Sequence, residues 1–354
     1  MYFSQKESDR IQIVRVICTI LVVFIHMNIE NISLVNGTGN FAFPTWLHTI
    51  DYVIAECIGR AAVPFFFLCS SMLLYSKEFT FSSNLRKKIR TLFVPYFLCI
   101  SLHILLFVIA QSLPFMAPYF QNENNRIAEW SWIQWLDAYV GKIQSDAPFC
   151  VHLWFIRDLL ILNVFAVILK KIVWRFPKLS SLFCILLWIM NYQTKFLDKQ
   201  AIVFWIFGML AVKYKTHFSN IDKIPVLLLS AGWVLSIGAD VIFNIYWFHQ
   251  LVKVISLVCI LAFSKIILDK GVSLIKGKIF NVLSQNTLFI YMFHVIIIST
   301  MCKIAVRFIA QKPMVQLTEY FAFPIMAVAI CACAACICKK ILPPLYKLLV
   351  GGRV

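Results

Sequence analysis

Charge is what this chain has least of. Only 14% of its residues are Asp, Glu, Lys or Arg, and 61% are hydrophobic. A soluble domain carries about 25% charged residues. So little charge over 354 residues excludes a fold built around one water-facing core. The charges also fall in clumps between long uncharged stretches, as a bilayer requires.

Acidic residues are scarcer still, 16 against 33 Lys and Arg, for a net charge of +17. The basic residues lie in short clusters between apolar runs. That is the usual membrane pattern and suits an anionic lipid surface, so no nucleic-acid partner is expected. The first apolar run, about 11–27, is not followed by a small-residue cleavage site, and reads as a retained first span. Internal repeats, heptads, low-complexity tracts and an appended soluble domain are all missing. A single membrane domain over residues 1–354 is the expectation. Cys331, Cys333, Cys336 and Cys338 alternate with alanines inside a span. They read as close packing of small residues, with palmitoylation near Cys338 as an alternative; no metal is expected.

Hydropathy predicts an all-α, polytopic bundle of about ten spans. They run roughly over 11–28, 50–75, 91–113, 151–169, 179–194, 200–212, 224–242, 251–268, 281–302 and 320–338. The fifth and sixth are short for a ~30 Å hydrocarbon core and read as two shielded helices or one re-entrant pair. If the N-terminus is cytoplasmic, the loops on its side hold Lys77, Arg86–Arg90, Lys170, Lys171, Arg175, Lys178, Lys213, Lys215, Lys223, Lys265, Lys270, Lys276 and Lys278. The opposite loops hold only Arg126, Lys142, Lys195, Lys199, Lys303, Arg307 and Lys312. This asymmetry favours cytoplasmic N- and C-termini. The longest outer loop, about 113–150, carries Trp130, Trp132 and Trp135. Its 129–143 stretch reads as an interfacial helix anchored by tryptophans, or as a surface on which sugars stack.

A charge at membrane depth is costly and usually faces the bundle interior. Arg15 and His26 are eleven residues apart, which is three helical turns plus about 20°, so they share a face and lie about 16 Å apart along the axis. Glu30 follows four residues later on the same stripe. An arginine at the inner end is suited to a phosphate-bearing donor. A histidine further out is suited to general-base work, with Glu30 orienting it. His26 equally reads as a hydrogen bond to a neighbouring helix. Arg60 enters an apolar run from the outer side, and snorkelling to headgroups is its alternative. Arg157 and Asp158 are expected to pair with each other or with neighbours. Tyr291 and His294, three apart, share a face. His48, His103, His217 and His249 read as ordinary.

Taken together, these segments resemble the acyltransferase family 3 membrane proteins. The features are the Arg15–His26 pair; Arg60 through Ser70, an Arg-x-x-x-Pro-Phe-Phe-Phe-Leu-x-Ser segment; a basic cluster before Pro95-Tyr96; His152-Leu153-Trp154-Phe155; and Ser284-x-x-x-x-Phe289-x-Tyr291-x-x-His294. The order covers nearly the whole chain. One departure is Ser71, where the family pattern has glycine after the Phe run. The resemblance implies transfer of an acyl group, usually acetyl from acetyl-CoA, to a hydroxyl of a carbohydrate or lipid-linked glycan at a bacterial cytoplasmic membrane. It implies His26 as catalytic residue and Arg15, Arg60, Arg86 and Arg90 near the donor. Trp154, Tyr291 and His294 are implied toward substrate. Direct transfer and an acyl-enzyme remain equally open. The competing class is a transporter or flippase, which often shows two related halves; no such repeat is visible.

Overall fold

The computed structural model describes residues 3–27, 43–120, 126–190, 194, 196–271 and 277–352. Within them every regular element is a helix. The main ones are α1 (Gln5–Ile25), α2 (Thr45–Tyr75), α3 (Phe81–Ser112), α4 (Trp132–Val140), α5 (Trp154–Val164), α6 (Ala166–Arg175), α7 (Pro177–Ile189) and α8 (Lys199–Lys213). They continue with α9 (Val226–Phe243), α10 (Tyr246–Lys270), α11 (Lys278–Gln285), α12 (Thr287–Phe308), α13 (Pro313–Ile341) and α14 (Pro343–Leu349). The expected all-α polytopic bundle is what the chain forms.

A helix stands at each of the ten predicted places, but ten spans are not confirmed. Among the described residues, six helices are long and apolar enough to cross a membrane: α2, α3, α9, α10, α12 and α13. A seventh is added if 151–164 and α6, bent by 69° at their junction, count as one span. The shortfall has physical causes. The first turns of α1 carry Lys6, Glu7, Asp9 and Arg10, while α7 and α8 have only 13 and 15 residues against the ~20 a straight crossing needs.

Helix α1 is the centre of the bundle, packed against α2, α10, α12 and α13. Val14, Cys18 and Val23 on it are fully buried. Peripheral helices turn apolar residues outward, as Leu227, Leu235 and Ile242 do on α9. A lipid-facing surface accounts for such a belt.

The basic loops meet on one face. There Arg10 bridges to Asp222 at 2.8 Å, Phe3 stacks on Phe218, and Lys213 donates to the Trp174 carbonyl at 2.6 Å. Tyr75 donates to the Ala166 carbonyl at 2.8 Å. The C-terminal segment returns to this face, with Gly351 against Thr91 and Gly352 beside Arg90. Both ends of the described chain therefore share one basic face, as the charge count predicts.

On the opposite face, the long loop contains α4, capped by the Ser131 hydroxyl. It is one turn shorter at each end than the predicted 129–143 helix. Asp137 accepts from the amides of Ile143 at 2.9 Å and Ser145 at 2.8 Å. Burial pushes its carboxyl up, but these bonds outweigh it and hold the group below the usual carboxylate range.

Helices α2 and α8 pack closely against each other. A Cβ added at Gly208 would lie 2.5 Å from the Leu68 carbonyl oxygen and 2.8 Å from the Ser71 Cβ. Ser71, the departure from the family glycine, is fully buried and donates to the Trp205 carbonyl at 2.7 Å. Its hydroxyl is thus satisfied within the bundle, as polar groups at membrane helix contacts must be. Gly208→Ala is expected to lower detergent-solubilised stability by about 1–3 kcal/mol. Gly232→Ala, with nothing within 4 Å of the new Cβ, is expected to leave it unchanged. Thermal unfolding of the two variants side by side checks this.

Candidate active site

His26 caps the C-terminal end of α1. The turn 59–61 of α2 presses on that end, so that a Cβ at Gly59 would lie 2.9 Å from the Ile25 side chain. Next to it α2 is irregular, a π turn over Tyr52–Ile58 running into a 3₁₀ turn over Gly59–Ala61. Such irregular turns are frequent at functional sites.

Four histidines gather around this point. The His26 ring centroid is 5.1 Å from that of His294 and 6.0 Å from that of His152. His152 and His294 are 5.2 Å apart, and His103 lies 6.4 Å beyond His152, stacked on Phe293. The Tyr291 ring is 5.8 Å from that of His152 and 6.0 Å from that of His294.

Backbone carbonyls fix the protons of three of these rings. His152 Nε2 lies 3.0 Å from the Met292 oxygen, His294 Nδ1 3.1 Å from the Ile290 oxygen, and His103 Nδ1 2.8 Å from the Cys99 oxygen. A carbonyl only accepts, so each of these nitrogens carries the hydrogen. The other nitrogen of each ring is then a lone pair: Nδ1 of His152, and Nε2 of His294 and of His103. All three are buried without a hydrogen-bond partner in the protein. The Cys150 thiol stands beside His103, but a thiol is a weak donor. Tyr291 donates its hydroxyl to the His152 carbonyl, so consecutive residues of α12 hold His152 by its backbone and its ring.

Three cavities lead to this cluster. One of about 460 Å³ opens at the basic face, lined by Lys77, Lys87, Lys88 and Ser83. It shares Ser70 and Leu73 with a second, of about 270 Å³, lined by Arg15, Thr19, Thr287 and Tyr291. Arg15 donates to the Thr287 hydroxyl at 2.8 Å. A third, of about 290 Å³, lies on the other side of His152 and is lined by His103, Phe107, Phe120, Phe149 and Lys303.

The structure sorts the residues expected from sequence. Arg15 and Tyr291 line one cavity, while His294 and His26 stand behind Tyr291 in the ring cluster and line none of the three. Glu30 lies outside the described residues. Arg86 and Arg90 are exposed and do not line the cavity, where Lys77, Lys87 and Lys88 stand instead. The buried Asn84 anchors the inward face of that turn through the Asn163 carbonyl at 3.1 Å. Arg60 is away from Arg15, held by Glu56 at 2.9 Å, with its charge acting on His26. Trp154 packs on Phe67 at 6.3 Å and lines none of the three cavities. Arg157 and Asp158 pair at 2.8 Å as expected, and Asp158 also accepts from the Asp198 amide at 2.7 Å.

Of the histidines read as ordinary, His217 pairs with Glu7 at 3.1 Å and His48 packs on Phe43, while the other two stand in polar clusters. His103 belongs to the cluster; only the fold brings the third predicted span against the late histidine segment. His249 bonds Asp240 at 2.6 Å, and Tyr52 and Cys57 donate to the same carboxylate oxygen at 3.0 and 3.5 Å. Cys57, Asp240 and His249 are also the one set of three potential metal ligands within 4.8 Å of one another among the described residues. Their mutual hydrogen bonds account for the arrangement without an ion.

No curated protein and no solved structure matches the chain. The model of one family, described as an acyltransferase domain, matches residues 8–338. That match takes in α1 through almost all of α13, with the whole histidine cluster and the passage leading to it, and the chain belongs to this acyltransferase family 3 of membrane proteins.

Proposed function

We propose that the protein moves an acetyl group from acetyl-CoA, bound at the basic face, to a hydroxyl of a surface polysaccharide or its lipid-linked precursor in a bacterial cytoplasmic membrane. The observation that carries this reading is the pair of cavities sharing Ser70 and Leu73, which run from Lys77, Lys87 and Lys88 to Arg15 and Tyr291.

The physical logic follows the charges. Coenzyme A carries its phosphates at one end and its thioester at the other. Lysines at the mouth hold phosphate as point charges, and the basic face keeps the polyanion out of the low-dielectric interior. The neutral pantetheine arm and thioester reach inward past Ser70 toward Arg15. His26, at the outer end of α1, takes the proton from the acceptor hydroxyl as its oxygen attacks the thioester carbonyl. The new C–O bond forms, the C–S bond breaks, and the proton passes from the imidazole to the departing thiolate. No net proton is consumed or released. The lone pair on His294 Nε2 faces the same cluster and supports the imidazole that carries the proton in transit.

Two sets of variants test this. His26→Ala and Arg15→Ala, at matched membrane levels, are expected to lower acetylation of the cells' own polysaccharide by at least about 10²-fold, read by mass spectrometry of the glycan. Normal acetylation by both would remove the proposed chemistry and bring transport forward. In an assay with acetyl-CoA, the Lys87→Glu, Lys88→Glu double variant is expected to raise the donor KM several-fold with little change in kcat. Its donor KM should also depend less on salt than the wild type's, because screening acts on the attraction that has been removed. A lowered kcat with an unchanged KM would place the donor elsewhere.

A further inference from the structure

The cavity on the far side of His152 has no role in donor binding. It is walled by Phe107, Phe120 and Phe149, which come from α3 and the long loop, and α12 closes its other side with Ser299 and Lys303. His103 and His152 line it and are 5% and 3% exposed. Each has one ring nitrogen committed to a backbone carbonyl as donor, so the other is a buried lone pair, with no partner at His152 Nδ1 and only the weakly donating Cys150 thiol beside His103. Leaving a buried acceptor unsatisfied forfeits the hydrogen bond it would make in water. The pocket therefore selects for a molecule that brings hydrogen-bond donors.

We infer that this cavity is the acceptor subsite and that it takes a single neutral sugar ring, whose hydroxyls donate to His103 Nε2 and His152 Nδ1. The inference rests on the acyl-transfer reading and adds to it a place and a ligand class. The chemistry of the lining excludes the other classes. An acyl chain leaves both lone pairs bare. An anion meets two lone pairs at the histidine end, where it needs donors, and leaves them bare even when it turns to Lys303. An ammonium meets Lys303, whose own charge lies 4.5 Å from the Phe120 ring centroid. A sugar ring satisfies the lone pairs with O–H groups and lays its C–H face on the phenylalanines. The volume of about 290 Å³ is at the small end of ligand pockets, which suits one ring rather than an oligosaccharide. His152 lies 6.0 Å, ring to ring, from His26, so a sugar held here is separated from the proposed base by the thickness of one imidazole layer. His103 acts through the bound acceptor and is a positioning residue.

The test uses purified full-length protein in detergent, acetyl-CoA as donor, and a panel of neutral methyl hexosides with methyl glucuronide as anionic comparison. His103→Leu, which removes the acceptor atom, and Ser299→Phe, which fills the cavity, are each expected to raise the hexoside KM at least about tenfold. The acetyl-CoA KM should stay at the wild-type value, and thermal unfolding of both variants at the wild-type temperature shows that they fold. His103→Gln, with an amide oxygen as acceptor, should recover part of the affinity. Methyl glucuronide should be the poorer substrate for the wild type. Two results would overturn this inference alone: acetylation of the cells' own polysaccharide with no transfer to any hexoside, or an unchanged hexoside KM in both His103→Leu and Ser299→Phe. Either would make the cavity a hydrated void. No acetyl transfer in cells or in vitro would overturn the acyl-transfer reading itself.

Discussion

His152 is held twice by one turn of α12. Its ring donates to the Met292 carbonyl, and its own carbonyl accepts from the Tyr291 hydroxyl. In a water-poor interior each polar group must find its partner within the protein, and that requirement orders everything near the centre of the bundle. It sets which nitrogen of His152 bears the hydrogen. It fixes the ring between the cavity that contains Tyr291 and the one that contains His103. The same rule ties Arg15 to Thr287, Ser71 to the Trp205 carbonyl and Arg157 to Asp158. With these groups paired, the lone pairs at His103, His152 and His294 are among the buried atoms without a partner, and the proposed reaction has a substrate supply what the protein does not.

Much of this was legible in the sequence, for reasons that can be named. Hydropathy placed a helix at each of the ten positions because a lipid-facing helix must be apolar on most of its surface. The Arg15–His26 spacing placed both on one stripe because helical periodicity is rigid over three turns. Charge clustering foretold the shared basic face. Spacing within a helix says nothing, though, about which helices meet. His103 has no partner in its own span, and its neighbours come from residues about fifty and two hundred positions later. Nor did the basic cluster reveal which of its members turn inward. Lys87 and Lys88 line the passage while Arg86 and Arg90 do not, because Asn84 anchors that turn to α5. The number of crossings is not confirmed, because α7 and α8 have only 13 and 15 residues and the first turns of α1 are charged.

The layout also bears on why a transferase of this kind would use two cavities separated by a layer of rings rather than one open channel. A thioester is attacked by water as well as by a sugar hydroxyl, so a continuous aqueous path would drain the donor. The layer formed by His152, Tyr291 and His294 stands between the cavity containing Arg15 and the one containing His103. On the proposed reaction only a neutral acyl carbonyl has to reach it from one side and only a neutral hydroxyl from the other. Phosphates never leave the lysine-lined mouth, which avoids the several kcal/mol per ion that dehydrating them would cost. The glycan need not cross. What passes between the two sides is two carbons and an oxygen, over a distance that the 5–6 Å separations of the histidine rings already span. On the proposed reaction, a bundle built in this way couples two faces of a membrane without transporting either substrate across it.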